Sequence, residues 1–105
     1  MRPQVITKSG STGTTAWIPV DYKQSPFNIG FAVTVGAGVL TYSVEHTFDD
    51  VFDTSITPVA FTHSSVAAQT TNKDGNYAFP VRAIRLNVTA WTSGGATLTI
   101  LQGQR

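Results

Sequence analysis

Between Phe27 and Phe48 the apolar side chains recur at every second position. Phe27, Ile29, Phe31, Val33 and Val35 alternate with Asn28, Gly30, Ala32 and Thr34; after a glycine-rich break, Leu40, Tyr42, Val44, His46 and Phe48 alternate with Thr41, Ser43, Glu45 and Thr47. A period of two is that of an extended strand with one buried face, whereas a helix would place its apolar residues three and four apart. The stretch predicts a long β-hairpin closed at Gly36-Ala37, with glycine supplying the positive φ of a type II′ turn. Val33 then lies opposite Leu40, Phe31 opposite Tyr42 and Ile29 opposite Val44. A turn centred on Ala37-Gly38 pairs Val35 with Leu40 instead, and both turns keep the two apolar rows on one side.

The same pattern returns near the end of the chain. Ile84, Leu86, Val88 and Ala90 alternate with Arg85, Asn87, Thr89 and Trp91, and beyond Ser93-Gly94-Gly95, Leu98 and Ile100 alternate with Thr97 and Thr99. A three-residue glycine loop predicts a second hairpin, with Ala90 opposite Leu98 and Val88 opposite Ile100. Two hairpins that each have one apolar face satisfy both faces by packing them together. The expected architecture is all-β: a two-sheet β-sandwich, a small jelly roll, occupying residues 1–105 as a single domain. Phe31, Tyr42, Val88 and Ile100 are its expected core.

Shorter pieces fill in the sheets. Residues 4–8 read as a first strand, and Ser9 to Thr14 as a Gly/Ser/Thr loop without the lysine and helix that a phosphate-binding loop requires. Thr15 to Tyr22 and Ile56 to His63 are extended, with Pro19 and Pro58 marking sheet edges. Lys23-Gln24-Ser25-Pro26 is a turn, Ser64 to Thr71 a loop, and Asn72-Lys73-Asp74-Gly75-Asn76 a turn centred on Asp-Gly. The stretch from Gln24 to Val44 carries no charge and is long enough to cross a bilayer, but its glycines and its period of two argue against a membrane helix.

The polar residues give little catalytic chemistry. Glu45, His46, Asp49, Asp50 and Asp53 are close in sequence, yet they lack the glycine and terminal glutamate of a calcium loop, so the aspartates read as turn formers that bond their own backbone. His46 and His63 lie on separate segments and do not make a zinc signature. No nucleophile elbow is present, and adjacent Asp49 and Asp50 would point to opposite faces of a strand. Arg82 shares the parity of Ile84 and Leu86, which places it at the rim of the apolar face or in a paired interface, with a carboxylate partner, one candidate being the Asp49 to Asp53 turn. Asn87-Val88-Thr89 matches a glycosylation sequon but falls in mid-strand. The expectation is a non-enzyme with no catalytic, cofactor-binding or metal-binding residues.

Charge and cysteine content narrow the classes further. With no cysteine there is neither a disulfide framework nor a thiolate site, and a net charge of +1 does not suggest a nucleic-acid binder. Charged residues make up 12% of the chain, about half the ~25% usual for soluble domains, and Ser and Thr provide much of the polar surface instead. Such a surface suits packing against partners at little desolvation cost, and equally suits the solvent face of a Thr-rich β-protein, since Thr favours strands. No apolar segment follows Met1-Arg2-Pro3-Gln4, so no secretory signal is read there and the expected site of synthesis is the cytoplasm.

Two stretches carry a resemblance. Ser25-Pro26-Phe27-Asn28-Ile29-Gly30 running on to Tyr42-Ser43-Val44-Glu45-His46-Thr47-Phe48-Asp49-Asp50, and Asp74-Gly75-Asn76-Tyr77-Ala78-Phe79-Pro80-Val81-Arg82 running on to Leu98-Thr99-Ile100-Leu101-Gln102, resemble small virion structural proteins of tailed bacteriophages, including the β-sandwich proteins that decorate or cement capsids. The resemblance implies a structural role in the virion, a homo-oligomer, often a trimer, and the major capsid protein as partner; the balanced charge and the period of two are what argue against a nucleic-acid or membrane partner. It assigns no individual residue. A tail- or fibre-base-associated protein has the same features, as does a carbohydrate-binding sandwich in which Trp17, Tyr22, Tyr77 or Trp91 stacks on sugar rings.

Overall fold

Nine strands form among residues 3–23, 27–36 and 38–102, which the computed structural model describes, and no helix occurs there. They are β1 (Gln4–Ser9), β2 (Gly13–Thr14), β3 (Ile18–Pro19), β4 (Ile29–Val35), β5 (Val39–Thr47), β6 (Phe61–Thr62), β7 (Lys73–Tyr77), β8 (Ala83–Ser93) and β9 (Gly95–Gln102). The alternating segments are the long strands because only they have a full apolar row to bury. One sheet has the order β1-β9-β4-β7; the other has β2-β8-β5-β6, with β3 also on β8. The described ladders are all antiparallel.

The pairs nest from the ends of the chain inward: β1 with β9, β2 and β3 with β8, β4 with β7, β5 with β6. That is the connectivity of one long antiparallel hairpin rolled up until β9 meets β4 and β8 meets β5. The fold is therefore the expected jelly-roll sandwich. Its core gathers the inward rows of both sheets, with Ile29, Phe31 and Val33 from β4 and Leu40, Tyr42 and Val44 from β5. Leu86 and Val88 from β8 and Leu98 and Ile100 from β9 complete it.

Neither predicted hairpin exists. β4 and β5 belong to different sheets, as do β8 and β9. Phe31 pairs with Ile100 and Gly75, Val33 with Leu98 and Lys73, Tyr42 with Val88 and Val44 with Leu86. The arms have exchanged partners, yet the inward rows, Ala90 apart, still face inward, because two rows that share a side in a hairpin also face each other when the hairpin is opened into two layers. The two glycine corners meet. A Cβ built on Gly94 would lie 2.5 Å from the Gly38 Cα, and Gly94 holds φ +78. At these corners the chain crosses from one sheet to the other, and the backbones approach more closely than side chains permit. Of the expected Gly36-Ala37 turn, Ala37 lies outside the described residues, as do Gln24, Ser25 and Pro26 of the turn expected before β4.

Four further expectations change, the first in the Ser9 to Thr14 loop, where Ser9 ends β1 and Gly13–Thr14 forms β2 against β8. The Asn72 to Asn76 segment is not a turn: Lys73–Tyr77 is the edge strand β7, and Gly75 lies opposite Phe31, where a Cβ would come within 2.9 Å of the phenyl ring. Here glycine makes room for a neighbour. In β8, a register shift against β5 between Thr41 and Tyr42 inserts one residue, so Ala90 lies opposite Thr41 and is exposed, while Trp91 lies opposite buried Leu40. Such a bulge reverses the parity beyond it. Of the extended segment Ile56 to His63, Phe61–Thr62 alone forms strand, at the sheet edge; Pro58 lies in the preceding loop. Pro19 is in the edge piece β3, as proline in a strand requires.

Candidate functional site: an exposed aromatic end

β5 carries His46 inward near its end, and the chain leaves the sheet at Phe48. β6 brings Phe61 alongside, since Phe61 pairs with His46, and the residues after β7 bring Phe79. Around the imidazole the rings form one cluster. Phe61 stacks on it at 5.9 Å and 22°, and Phe48 and Phe79 meet it edge-on at 5.5 and 5.8 Å. Phe48 also contacts Phe61 and Phe79, at 5.7 and 6.4 Å. Each of the three phenylalanines is about half exposed (47%, 48% and 49%), so the apolar surface they show to solvent is contiguous. Phe52, in the loop between β5 and β6, is exposed at 76%.

The cluster is rooted in the core. The Tyr77 hydroxyl lies 2.8 Å from His46 Nδ1, and its ring packs on Phe31 at 5.4 Å and on His63 at 4.8 Å. Burial, with the Glu45 charge adding to it, pushes the Tyr77 phenol far above its ordinary value, so it keeps its proton within this hydrogen bond. Burial, together with the neighbouring His63, lowers the His46 pKa from the usual 6.5. The two histidines thus flank one tyrosine. His63 Nδ1 accepts from the Ser65 N–H at 3.1 Å while Nε2 faces the Asn76 carbonyl at 2.9 Å, which fixes a ring that donates from Nε2.

The lowered His46 pKa sets a pH dependence. The imidazole is neutral in both folded and unfolded chains above about 6.5; below that value the unfolded chain takes up the proton more readily. His46 therefore makes no pH-dependent contribution above 6.5, and stability falls as pH drops from 6.5 through the folded value. Urea midpoints are expected to fall between pH 7.5 and 5.5 in the native protein and to fall less in His46→Gln. Equal slopes in the two would overturn the assignment.

The aspartates, glutamate and arginines singled out in the sequence are engaged in holding the fold. Asp50 Oδ1 accepts from the Phe52 N–H, Asp53 Oδ1 from both Ser55 N–H and Oγ–H, and Asp49 Oδ2 from the Val59 N–H at 2.8 Å, so these aspartates build the turn as expected. The Ser55 side-chain and backbone bonds lower the Asp53 pKa. Arg82 reaches Asp50 at 3.7 Å, the ion pair expected from that turn, and lies over the Tyr22 ring at 4.8 Å. On the other face of β5, Glu45 binds Arg85 at 2.7 Å and Asn87 at 2.9 Å, and the Arg85 guanidinium lies over Trp17 at 4.2 Å. Among the described residues no three His, Asp or Glu side chains converge to hold a metal. Of the four aromatics suited to sugar stacking, Tyr77 is fully buried and cannot serve, and Trp17 and Tyr22 each carry an arginine on the ring. The aromatic end itself was not anticipated: Phe61 and Phe79 lie on separate short segments, and only the rolled topology brings them to Phe48.

No protein-family model matches the sequence, and no curated protein matches it. Among solved structures the chain is similar to a chain in the structure of infectious bursal disease virus, Gx strain, with a TM-score of 0.34 and 12% identity over 97% of this chain and 32% of that one. The present chain spans about a third of that chain's length, and a likeness at this level carries no argument about fold or role.

Proposed function

We propose that the protein is a non-enzymatic virion structural component that decorates or cements a tailed-phage capsid, self-associating as a trimer and binding the major capsid protein. The exposed aromatic end carries the reading. Three touching, half-exposed phenylalanines beside an edge strand form a contiguous apolar surface of the kind that marks protein-protein contact. Aromatic residues of this kind anchor interfaces.

A second surface agrees with it. On the outward face of the first sheet, Thr7, Thr97 and Thr34 form one row and Val5, Thr99 and Ala32 the next, with no charged side chain across β1, β9 and β4. A flat face of this composition accepts another sheet or a neighbouring subunit without stripping charges of water. Glu45 and Asp49, Asp50 and Asp53 make structural hydrogen bonds, which favours a structural role over catalysis. The resemblance to small phage virion proteins supplies the class of partner.

Co-sedimentation with mature shells, unexpanded shells and free capsid protein, alongside light scattering of the protein alone, tests the proposal. The protein is expected to pellet with assembled shells in preference to free subunits, because a lattice site spanning several subunits offers multivalent contacts. Phe61→Asp is expected to weaken shell binding by at least roughly tenfold while leaving the fold intact, as loss of an interface anchor does. A monomer that stays in the supernatant with all three would overturn the reading.

A further inference from the structure

At the start of β5, the opposite end of that strand from the aromatic cluster, two shallow depressions adjoin. One, of about 210 Å³, is lined by Val39, Leu40, Thr41, Ala90, Trp91 and Thr92; the other, of about 430 Å³, by Val35, Gly36, Thr71 and Asn72; Gly38 and Thr70 belong to both. Together they form one groove over the corner where the chain changes sheets.

The walls of this groove are fixed. The Trp91 indole N–H donates to the Gly94 carbonyl at 2.8 Å, which spends its polar atom and leaves a side chain about a third exposed (36%) as contact surface. On the far side the Tyr42 hydroxyl donates to the Thr71 carbonyl, and Asn72 Oδ1 accepts from the Val35 N–H at 2.7 Å, so the Asn72 amide is oriented with its NH2 group as the free donor. The bulge in β8 is what brings Trp91 to the groove instead of the outer face.

The chemistry selects a ligand class. The lining offers an aromatic face flanked by aliphatic side chains (Val35, Val39 and Leu40), four threonine hydroxyls (Thr41, Thr70, Thr71 and Thr92) and one amide, and no charged side chain. An anion or cation would find no counter-charge, and an apolar peptide would strip water from the hydroxyls without replacing their hydrogen bonds. A neutral saccharide has both halves of the match: a C–H face to lie on the indole, and hydroxyls that both donate and accept. We propose that this groove is a binding site for a neutral saccharide, with a pyranose ring on Trp91 and its hydroxyls served by Thr70 and Asn72. It is independent of the shell-binding surface.

The test is a titration of the isotope-labelled protein, followed by amide chemical shifts, with methyl glucoside, galactose and N-acetylglucosamine, and with glucose 6-phosphate and glycerol as controls. At least one neutral sugar is expected to shift Thr70, Thr71, Asn72 and the Trp91 indole N–H saturably at millimolar concentration, with glucose 6-phosphate weaker and glycerol without saturation. Thr70→Lys, an exposed substitution that fills the groove and leaves Trp91 in place, is expected to abolish those shifts while its spectrum stays folded and its co-sedimentation with shells is unchanged. Trp91→Ala is expected to do the same where it folds. The absence of saturable shifts with all three sugars, undiminished binding by Thr70→Lys, or shifts centred on Trp17 or Tyr22 would overturn the proposal.

Discussion

Replacing Phe31 with alanine is expected to lower the unfolding free energy by about 3–5 kcal/mol, the range for removing a buried phenyl ring whose surroundings do not collapse onto the gap. Phe31 is buried at the centre of the first sheet, with Ile100 opposite it on β9 and Gly75 opposite it on β7. Its ring meets His63 edge-on at 5.1 Å and lies against Tyr77 at 5.4 Å. Gly75 has no side chain to move into the vacancy, so the cavity persists. For a chain of this size each kcal/mol corresponds to roughly 4–8 °C in Tm, so the melting point is expected to fall by roughly 12–40 °C. Phe52→Ala, on an exposed ring, is the control and is expected to stay within about 0.5 kcal/mol of the native value. A urea titration decides it: a loss below about 1 kcal/mol for Phe31→Ala, with unchanged slope, would remove Phe31 from the core.

The inward faces of β4, β5 and β9 were legible because a period of two leaves one parity to bury; Phe31, Tyr42 and Ile100 follow from that rule alone. Strand partners were not. Parity tells which side a residue faces and says nothing about which strand lies beside it, so Gly36-Ala37 and Ser93-Gly94-Gly95 satisfied the rules for hairpin turns while serving as crossings between sheets. In β8 the rule held through Val88 and failed at Ala90, because a bulge is set by the ladder with β5 and leaves no mark on β8 itself. Gly75 misled in a related way: Asp-Gly is a turn signal, but here the glycine accommodates a ring that lies forty-four positions earlier in the chain. The aromatic end was legible in part. Phe48 continued the apolar row of β5, and His46 and His63 stood out as titratable groups, but the tyrosine between them and the two other phenylalanines converge only once β6 and β7 are placed on different sheets. The Arg82–Asp50 pair was within reach because the parity of Arg82 put it at the rim and the Asp turn supplied the nearest carboxylates.

The contact between the two crossings gives the second large effect. Gly94→Ala is expected to destabilise the protein by roughly 2–5 kcal/mol, combining about 1–2 kcal/mol for an L-residue at a left-handed φ with about 1–3 kcal/mol for overpacking. The φ of +78 sets the first part, and the second follows because the new methyl group would meet the Gly38 backbone at 2.5 Å. Backbone cannot step aside as a flexible side chain can, and the corner is tied down by the Val39 N–H to Ser93 Oγ bond and by Trp91 to the Gly94 carbonyl. Gly38→Ala probes the same contact from the other side, since its Cβ would run into the Ser93 carbonyl oxygen and the Gly94 Cα. Gly30→Ala is the control: nothing lies within 4 Å of its Cβ, and the change is expected to stay within about 0.5 kcal/mol. Because the two corner glycines share one contact, either substitution alone forces the crossings apart, and the second then adds less than it costs by itself. Denaturant titrations of the two single variants and the double variant would show this as a double-mutant loss smaller than the sum of the singles. Strict additivity would mean that the two crossings do not share this contact.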